Sequence, residues 1–148
     1  MKIRFLLLTF IGWLAVSMAQ AAVTAPETGI YRLTSARNSG RAMAVNAFGK
    51  VVTTKTNATD LKQVWLVVKN KDTYWLRNAY SGLYVQSEKN LNAAFATDNT
   101  RADFYIQPNE ANPDYFNIMP EATYASMTGM HENASGQVVS QAAAKATP

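Results

Sequence analysis

The sequence predicts an all-β fold, on three observations. Past residue 28 the chain breaks into ten short runs rich in β-branched and aromatic residues, each punctuated by Asn, Ser, Gly, Asp or Pro. No stretch past residue 28 holds a helical period for three turns between caps. The runs also repeat. Tyr31-Arg32-Leu33 followed by Asn38-Ser39-Gly40 matches Tyr74-Trp75-Leu76 followed by Asn78 and Ser81-Gly82, and the two glycines lie 42 residues apart.

Taken in order, the first element is not part of that fold. Lys2 and Arg4 precede an apolar stretch over residues 5–18, which exits through Ala19-Gln20-Ala21-Ala22. A basic start, an apolar middle and a small-x-small exit make residues 1–21 a helical signal peptide, cleaved after Ala19 or Ala21. Fourteen apolar residues are too short for a stable membrane span, which needs about 20. The expected product is secreted, extracellular, periplasmic or held at the cell surface, and meets the membrane only during export. Losing Lys2 and Arg4 takes the formal charge from +4 to +2. Residues 22–28 read as a short polar leader.

The strand runs then follow at 29–34, 42–45, 50–54, 64–69, 73–77, 83–86, 93–96, 103–107, 115–118 and 137–140. Each is about four to six residues long, the length of a strand in a sandwich or barrel. Ala142-Ala143-Ala144-Lys145 favours a helical turn, but four residues cannot nucleate a helix alone.

Composition narrows the chemistry. The chain has 148 residues, no Cys and one His, which excludes disulfides, a thiolate zinc site, a Cys nucleophile and a His-rich metal cluster. No cofactor or metal is expected. No zinc-protease, nucleophile-elbow, Walker or calcium-loop motif occurs. His131 stands in a polar, turn-like stretch beside Glu132, and neighbours on a strand would point to opposite faces, so it reads as a surface loop residue. The expectation is a non-catalytic domain.

Charge is unevenly placed. Residues 32–71 carry eight Lys and Arg against Asp60 alone, and residues 98–132 carry six Asp and Glu against Arg101 alone. Neither group is contiguous, so nucleic-acid binding is not supported.

A third, weaker copy of the repeat begins at Tyr115-Phe116-Asn117-Ile118, with Phe116 lying 42 residues after Tyr74. Within the copies a turn and an apolar pair recur at Gly49-Lys50-Val51-Val52, Asn90-Leu91 and Gly136-Gln137-Val138-Val139. Two copies close on an aromatic strand, Trp65-Leu66-Val67 and Phe104-Tyr105-Ile106. Three repeats of about 40 residues with four short strands each look like a β-trefoil.

Gln63-Val64-Trp65 resembles the Q-x-W signature of ricin-B-type lectins, and the hairpin from Tyr74 through Asn78, Ser81-Gly82 and Val85 is similar to that family's strand–N-x-x-S-G–strand unit. The resemblance covers residues 29–148. It implies a β-trefoil lectin domain, a carbohydrate partner, and a core in which Trp65, Phe104 and the Gln63 preceding the first ring are structural. The second copy carries Ala102-Asp103-Phe104 and so lacks the Gln. In the third copy the closing aromatic would fall just past Pro148, so the last strand is expected to be missing. The chain then reads as the N-terminal part of a longer exported protein, or as a degenerate third repeat that ends naturally.

In ricin-B-type repeats, sugar is held by an Asp after the hairpin, an aromatic in the next strand region and an Asn before Q-x-W. Carried onto this sequence, the Asp position falls at Ala44, Gln86 and around Ser126-Met127. The aromatic position falls at about Lys55 and at Phe95, with only Gln141-Ala142 in the third copy; the Asn position falls at Asn57 or Asn99. The resemblance therefore implies a carbohydrate site in the second repeat at Gln86, Phe95 and Asn99, with Tyr80 as an added stacking face; Tyr84 could serve the same way but reads better as packed inside the hairpin. Gln86 and Asn99 also suit ordinary turns, and Phe95 among alanines also suits a core. Three functional readings stay open: a secreted carbohydrate-binding accessory domain, a structural or protein-interaction trefoil, and the start of a secreted enzyme whose catalytic domain lies past Pro148.

Overall fold

The computed structural model describes residues 25–109, 112, 114–126 and 128–142. The signal-peptide helix expected over 1–21 lies outside the described residues. Eleven strands follow: β1 (Gly29–Tyr31), β2 (Arg41–Val45), β3 (Val51–Lys55), β4 (Trp65–Asn70), β5 (Thr73–Asn78), β6 (Tyr84–Val85), β7 (Thr97–Asp98), β8 (Phe104–Pro108), β9 (Phe116–Pro120), β10 (Thr128–Glu132) and β11 (Val138–Ala142). Short 3₁₀ turns at Leu61–Gln63 and Glu121–Ser126 complete the described elements.

The fold is a β-trefoil. β1, β4, β5, β8 and β9 pair in that order as an antiparallel wall, and the pairs β2–β3, β6–β7 and β10–β11 stand as hairpins beside it. The hairpins join one another through the backbone. Val51 N–H donates to Phe95 O at 2.9 Å, and Phe95 N–H donates to Val138 O at 2.9 Å. These bonds make Val51, Phe95 and Val138 counterparts, one from each repeat, and all three are buried. Each hairpin tip requires a left-handed residue, supplied by Gly49 (φ 71°), Asn92 (φ 64°) and Gly136 (φ 74°).

Trp65 and Phe104 are both fully buried, and Phe104 packs 6.4 Å from Phe95, centroid to centroid. Trp65 Nε1 donates to Met43 O at 2.8 Å, so a buried polar atom is satisfied while the ring fills the core. Gln63 is 1 % exposed. Its Oε1 accepts from Asn57 N–H, and its Nε2 donates to Thr54 Oγ1 at 2.8 Å and Lys55 O at 2.7 Å. One amide thus ties the β3–β4 connector back onto its hairpin. In the second copy, where Gln is absent, Asp103 does different work: its Oδ1 accepts from Thr73 Oγ1 at 2.7 Å and Trp75 Nε1 at 3.0 Å.

Two local readings change. β10 occupies Thr128–Glu132, where the sequence suggested a polar turn, so His131 lies on a strand opposite Val139. Leu91, matched above to the inward apolar pairs, is 58 % exposed, and Phe95 takes the inward place instead.

Among the described residues, β1 pairs only with β4, and β9 only with β8. A cleft of about 160 Å³ lies between the segment after β1 (residues 33–37), β9 and β10, and adjoins a smaller one of about 50 Å³ that reaches Tyr31 of β1. Leu33, Thr34, Phe116 and Ile118 line both.

Candidate functional site in the second repeat

Alternation along β5 sets up the outer face of the second repeat. Tyr74 and Leu76 are buried, while Trp75 and Arg77, two residues apart, turn outward. Tyr84 on β6 pairs directly with Arg77, and on its other side with Asp98 of β7. The connector after β7 then brings Arg101 back over this face. Its guanidinium carbon stands 4.3 Å from the centre of the Trp75 ring and 5.7 Å from that of Tyr84, and Arg77 stands 5.6 Å from Tyr84.

Trp75 is fixed by its bond to Asp103, and Arg77 by its Nε donating to Gly82 O at 2.8 Å. The described ion pairs are Arg41–Glu132 and Lys69–Glu27, so neither Arg77 nor Arg101 meets a described carboxylate. The face therefore alternates aromatic rings with two cations that keep their charge for a ligand.

The residues named from sequence distribute unevenly around this face. Gln86 lies against it, but its amide is committed: Nε2 donates to Tyr84 O at 3.1 Å and to Thr100 O at 2.6 Å, while Oε1 accepts from Thr100 Oγ1 at 3.0 Å. Both amide hydrogens are used within the hairpin. Asn99 is exposed, next to Asp98, the cross-strand partner of Tyr84, and its side chain bonds to no described residue.

Phe95 must be removed from the sugar-facing set. It is fully buried, and its counterparts are Val51 and Val138 rather than Lys55. The same register makes Asn99 the counterpart of Lys55, and Gln86 that of Ala44. In the third repeat the position assigned to Ser126-Met127 moves to His131, which opposes Val139 as Ala44 opposes Val52. Tyr80 is 63 % exposed and stands apart, with Lys62 Nζ 5.2 Å from its ring centre and no described bond or ring contact to Gln86 or Asn99.

Trp75, Arg77 and Arg101 were not among the residues named from sequence. The outward pair Trp75-x-Arg77 was legible as strand alternation. Arg101 was not, because its ring contacts cross 26 residues of chain to Trp75 and 17 to Tyr84.

On the third repeat, burial and the Arg37 charge lower the pKa of His131 below its ordinary 6.5, outweighing Glu132. Among the described residues, no group of three His, Cys, Asp or Glu comes together as a metal site.

The model of the ricin-type β-trefoil lectin domain-like family matches residues 20–96, and the chain belongs to that family. Among solved structures it is similar to a ricin B-like lectin from Macrolepiota procera, solved in complex with lactose. The TM-score is 0.68 at 16% identity, over 80% of this chain and 88% of that one. It is also similar to the chain of a PSL1a–E64 complex, with TM-score 0.63 at 22% identity, over 79% of this chain but 43% of that one. No curated protein matches the sequence.

Proposed function

We propose that the chain is an exported, non-catalytic carbohydrate-binding module that takes sugar on the outer face of its second repeat. The observation that carries this reading is the Tyr84 ring set against Arg77 and Arg101, with the exposed Asn99 one residue past Asp98, the cross-strand partner of Tyr84. The exposed part of an aromatic face suits the apolar side of a pyranose, and the guanidinium and amide groups donate to hydroxyls. Two cations without carboxylate partners favour a sugar bearing a carboxylate or sulfate. Family membership and the lactose complex of the Macrolepiota procera lectin support sugar as the ligand class. The module serves as an accessory domain of a longer exported protein, delivered by the signal over residues 1–21.

A shallow face of this kind leaves little surplus after ordering costs, so Kd falls at about 0.1–10 mM per site. The test is a glycan array containing neutral, uronate and sulfated sugars, followed by titration of the best ligand against the parent, Tyr84→Ala and Arg101→Ala. Acidic glycans should be retained, and each variant should weaken binding about tenfold or more, a loss of about 1.4 kcal/mol. Parent-like titrations from both variants would overturn the site, and retention of no glycan would overturn the function. A second reading, a structural or protein-interaction trefoil, is favoured by the committed amide of Gln86 and takes over in that last case.

A further inference from the structure

The outer face of the second repeat continues onto the first. Lys50, at the tip of the β2–β3 hairpin, forms an antiparallel bridge with Ala96, and directly opposed residues show their side chains on one face of a sheet. Ala96 and Asp98 lie two apart and turn the same way. Asp98 opposes Tyr84, and Tyr84 opposes Arg77. The neighbouring positions fit this register, since Val51, Val85 and Phe95 are all fully buried on the inner side. One outward face therefore carries Lys50 of the first repeat with Asp98, Tyr84 and Arg77 of the second.

The hairpin tip is fixed where it meets the second repeat. Gly49 O accepts from Thr97 N–H at 2.8 Å and from Thr97 Oγ1 at 3.0 Å. Asn46 Oδ1 accepts the N–H groups of Phe48 and Lys50 at 2.9 and 3.0 Å. The turn thus presents the exposed Lys50, and a Phe48 that is 87 % exposed, on backbone that is already ordered.

Charge along this face runs cation, acid, cation. Lys50 stands at one end and Arg77 with Arg101 at the other, and none of the three belongs to a described ion pair. Asp98 is exposed between them, and the bond described for its carboxylate is with its neighbour Asn99, whose N–H donates to Oδ1 at 2.6 Å. A carboxylate accepts from sugar hydroxyls and repels an acidic group, whereas the cations attract one. Lys50 and Arg77 are three strand spacings apart, about 14 Å, which is farther than one monosaccharide reaches.

We propose that this face holds a linear polysaccharide in which acidic and neutral sugars alternate. Arg77 and Arg101 take one acidic group, and Lys50 takes the next one along the chain. Asp98 accepts hydroxyls of the neutral sugar between them, and the Phe48 ring offers apolar surface at the far end. The inference rests on the sugar face proposed above and extends it across the repeat boundary, from a single sugar to a chain.

The probes are hyaluronan oligosaccharides, in which a uronate alternates with an N-acetylated sugar. A disaccharide and a hexasaccharide are titrated calorimetrically against the whole protein, with a galacturonate hexamer, acidic at every residue, as the control. The hyaluronan hexasaccharide should bind at least about tenfold more tightly than the disaccharide, and several-fold more tightly than the galacturonate hexamer. Lys50→Glu, at an exposed position, should erase the gain from chain length, and Phe48→Ala should reduce it. Asp98→Asn should narrow the preference over the galacturonate hexamer. Added salt should weaken hexasaccharide binding more than disaccharide binding. Equal affinity for the two hyaluronan lengths, a parent-like Lys50→Glu, or a galacturonate hexamer that binds as tightly as the hyaluronan one would overturn this inference and leave the Tyr84 face standing. Failure of every probe, with no glycan retained on the array, would overturn the sugar face and this extension together.

Discussion

Glu132 of the third repeat grips Arg41 of the first. Its Oε1 lies 2.9 Å from Arg41 Nε and also accepts from Thr53 Oγ1 at 2.5 Å, while Oε2 accepts from Ser35 Oγ. Two residues 91 positions apart thereby fasten the last hairpin to the first.

Removing this carboxylate leaves Arg41 and Thr53 short of an acceptor in a partly buried place. Glu132→Ala should destabilise the fold by about 1–3 kcal/mol in urea unfolding, with Glu132→Gln between it and the parent.

The same group gives a pH dependence. Burial would raise the Glu132 carboxyl, but hydrogen bonds from Ser35 and Thr53 and the charge of Arg41 outweigh it and hold the pKa below 4.5. A folded-state pKa below the unfolded one contributes stability that is present above the unfolded value and lost as pH falls through the folded one. His131 follows the same sign at higher pH: burial and Arg37 lower it from 6.5, so the unfolded chain takes that proton first. Melting temperature should therefore decline in two stages on acidification, below about 6.5 and again below about 4.5. Glu132→Gln should flatten the second stage and deepen the first, because the Glu132 charge partly offsets the lowering of the His131 pKa.

Trp65→Ala should cost about 3–5 kcal/mol, since the fully buried ring leaves a cavity and the Met43 carbonyl loses its donor. Trp65→Phe separates the two effects. It keeps most of the packing and should cost less, with the remainder reporting the lost indole bond and the smaller volume. Equal losses for both variants in chemical denaturation would contradict this division.

The two glycine hairpin tips should not respond alike to alanine. Gly49→Ala places a side chain in left-handed backbone near Thr97, 3.4 Å from its Oγ1 and 3.9 Å from its carbonyl oxygen, and should cost about 1–2 kcal/mol. At Gly136 the added Cβ would also stand 2.6 Å from Arg41 Nη2, so the guanidinium must shift and its bond to the Thr53 carbonyl is disturbed. Gly136→Ala should cost more than Gly49→Ala, and the excess should vanish in an Arg41→Ala background, as a double-mutant cycle would measure.

How much of this was legible in the sequence depended on register. Trp65 and Phe104 were readable as core because their apolar runs repeat, and Gln63 only through the resemblance to the Q-x-W signature. Phe95 was readable both as sugar-facing and as core: one residue of slip exchanges the two faces of a strand, and only the bonds to Val51 and Val138 fix which face it shows. β10 escaped notice because Thr-Gly-Met-His-Glu carries neither β-branched density nor alternation, and is held as a strand by its partner β11. The Trp75–Arg101 contact left no spacing signal, since it depends on how the connector after β7 folds back over β5.

The bonds that join the hairpins also set the order in which the molecule can form. Val51 meets Phe95, and Phe95 meets Val138, across 44 and 43 residues of chain, and Thr53 meets Gly136 across 83. Each bond closes a long loop before it returns any stabilisation, whereas the β4–β5 turn at Lys71 and Asp72 closes at once. The β4–β5 ribbon should therefore be the earliest stable structure, and docking of the three hairpins the slow step. Until that docking occurs, Trp65 and Phe104 have no lid, and a chain arrested there displays the apolar strands that the finished molecule hides.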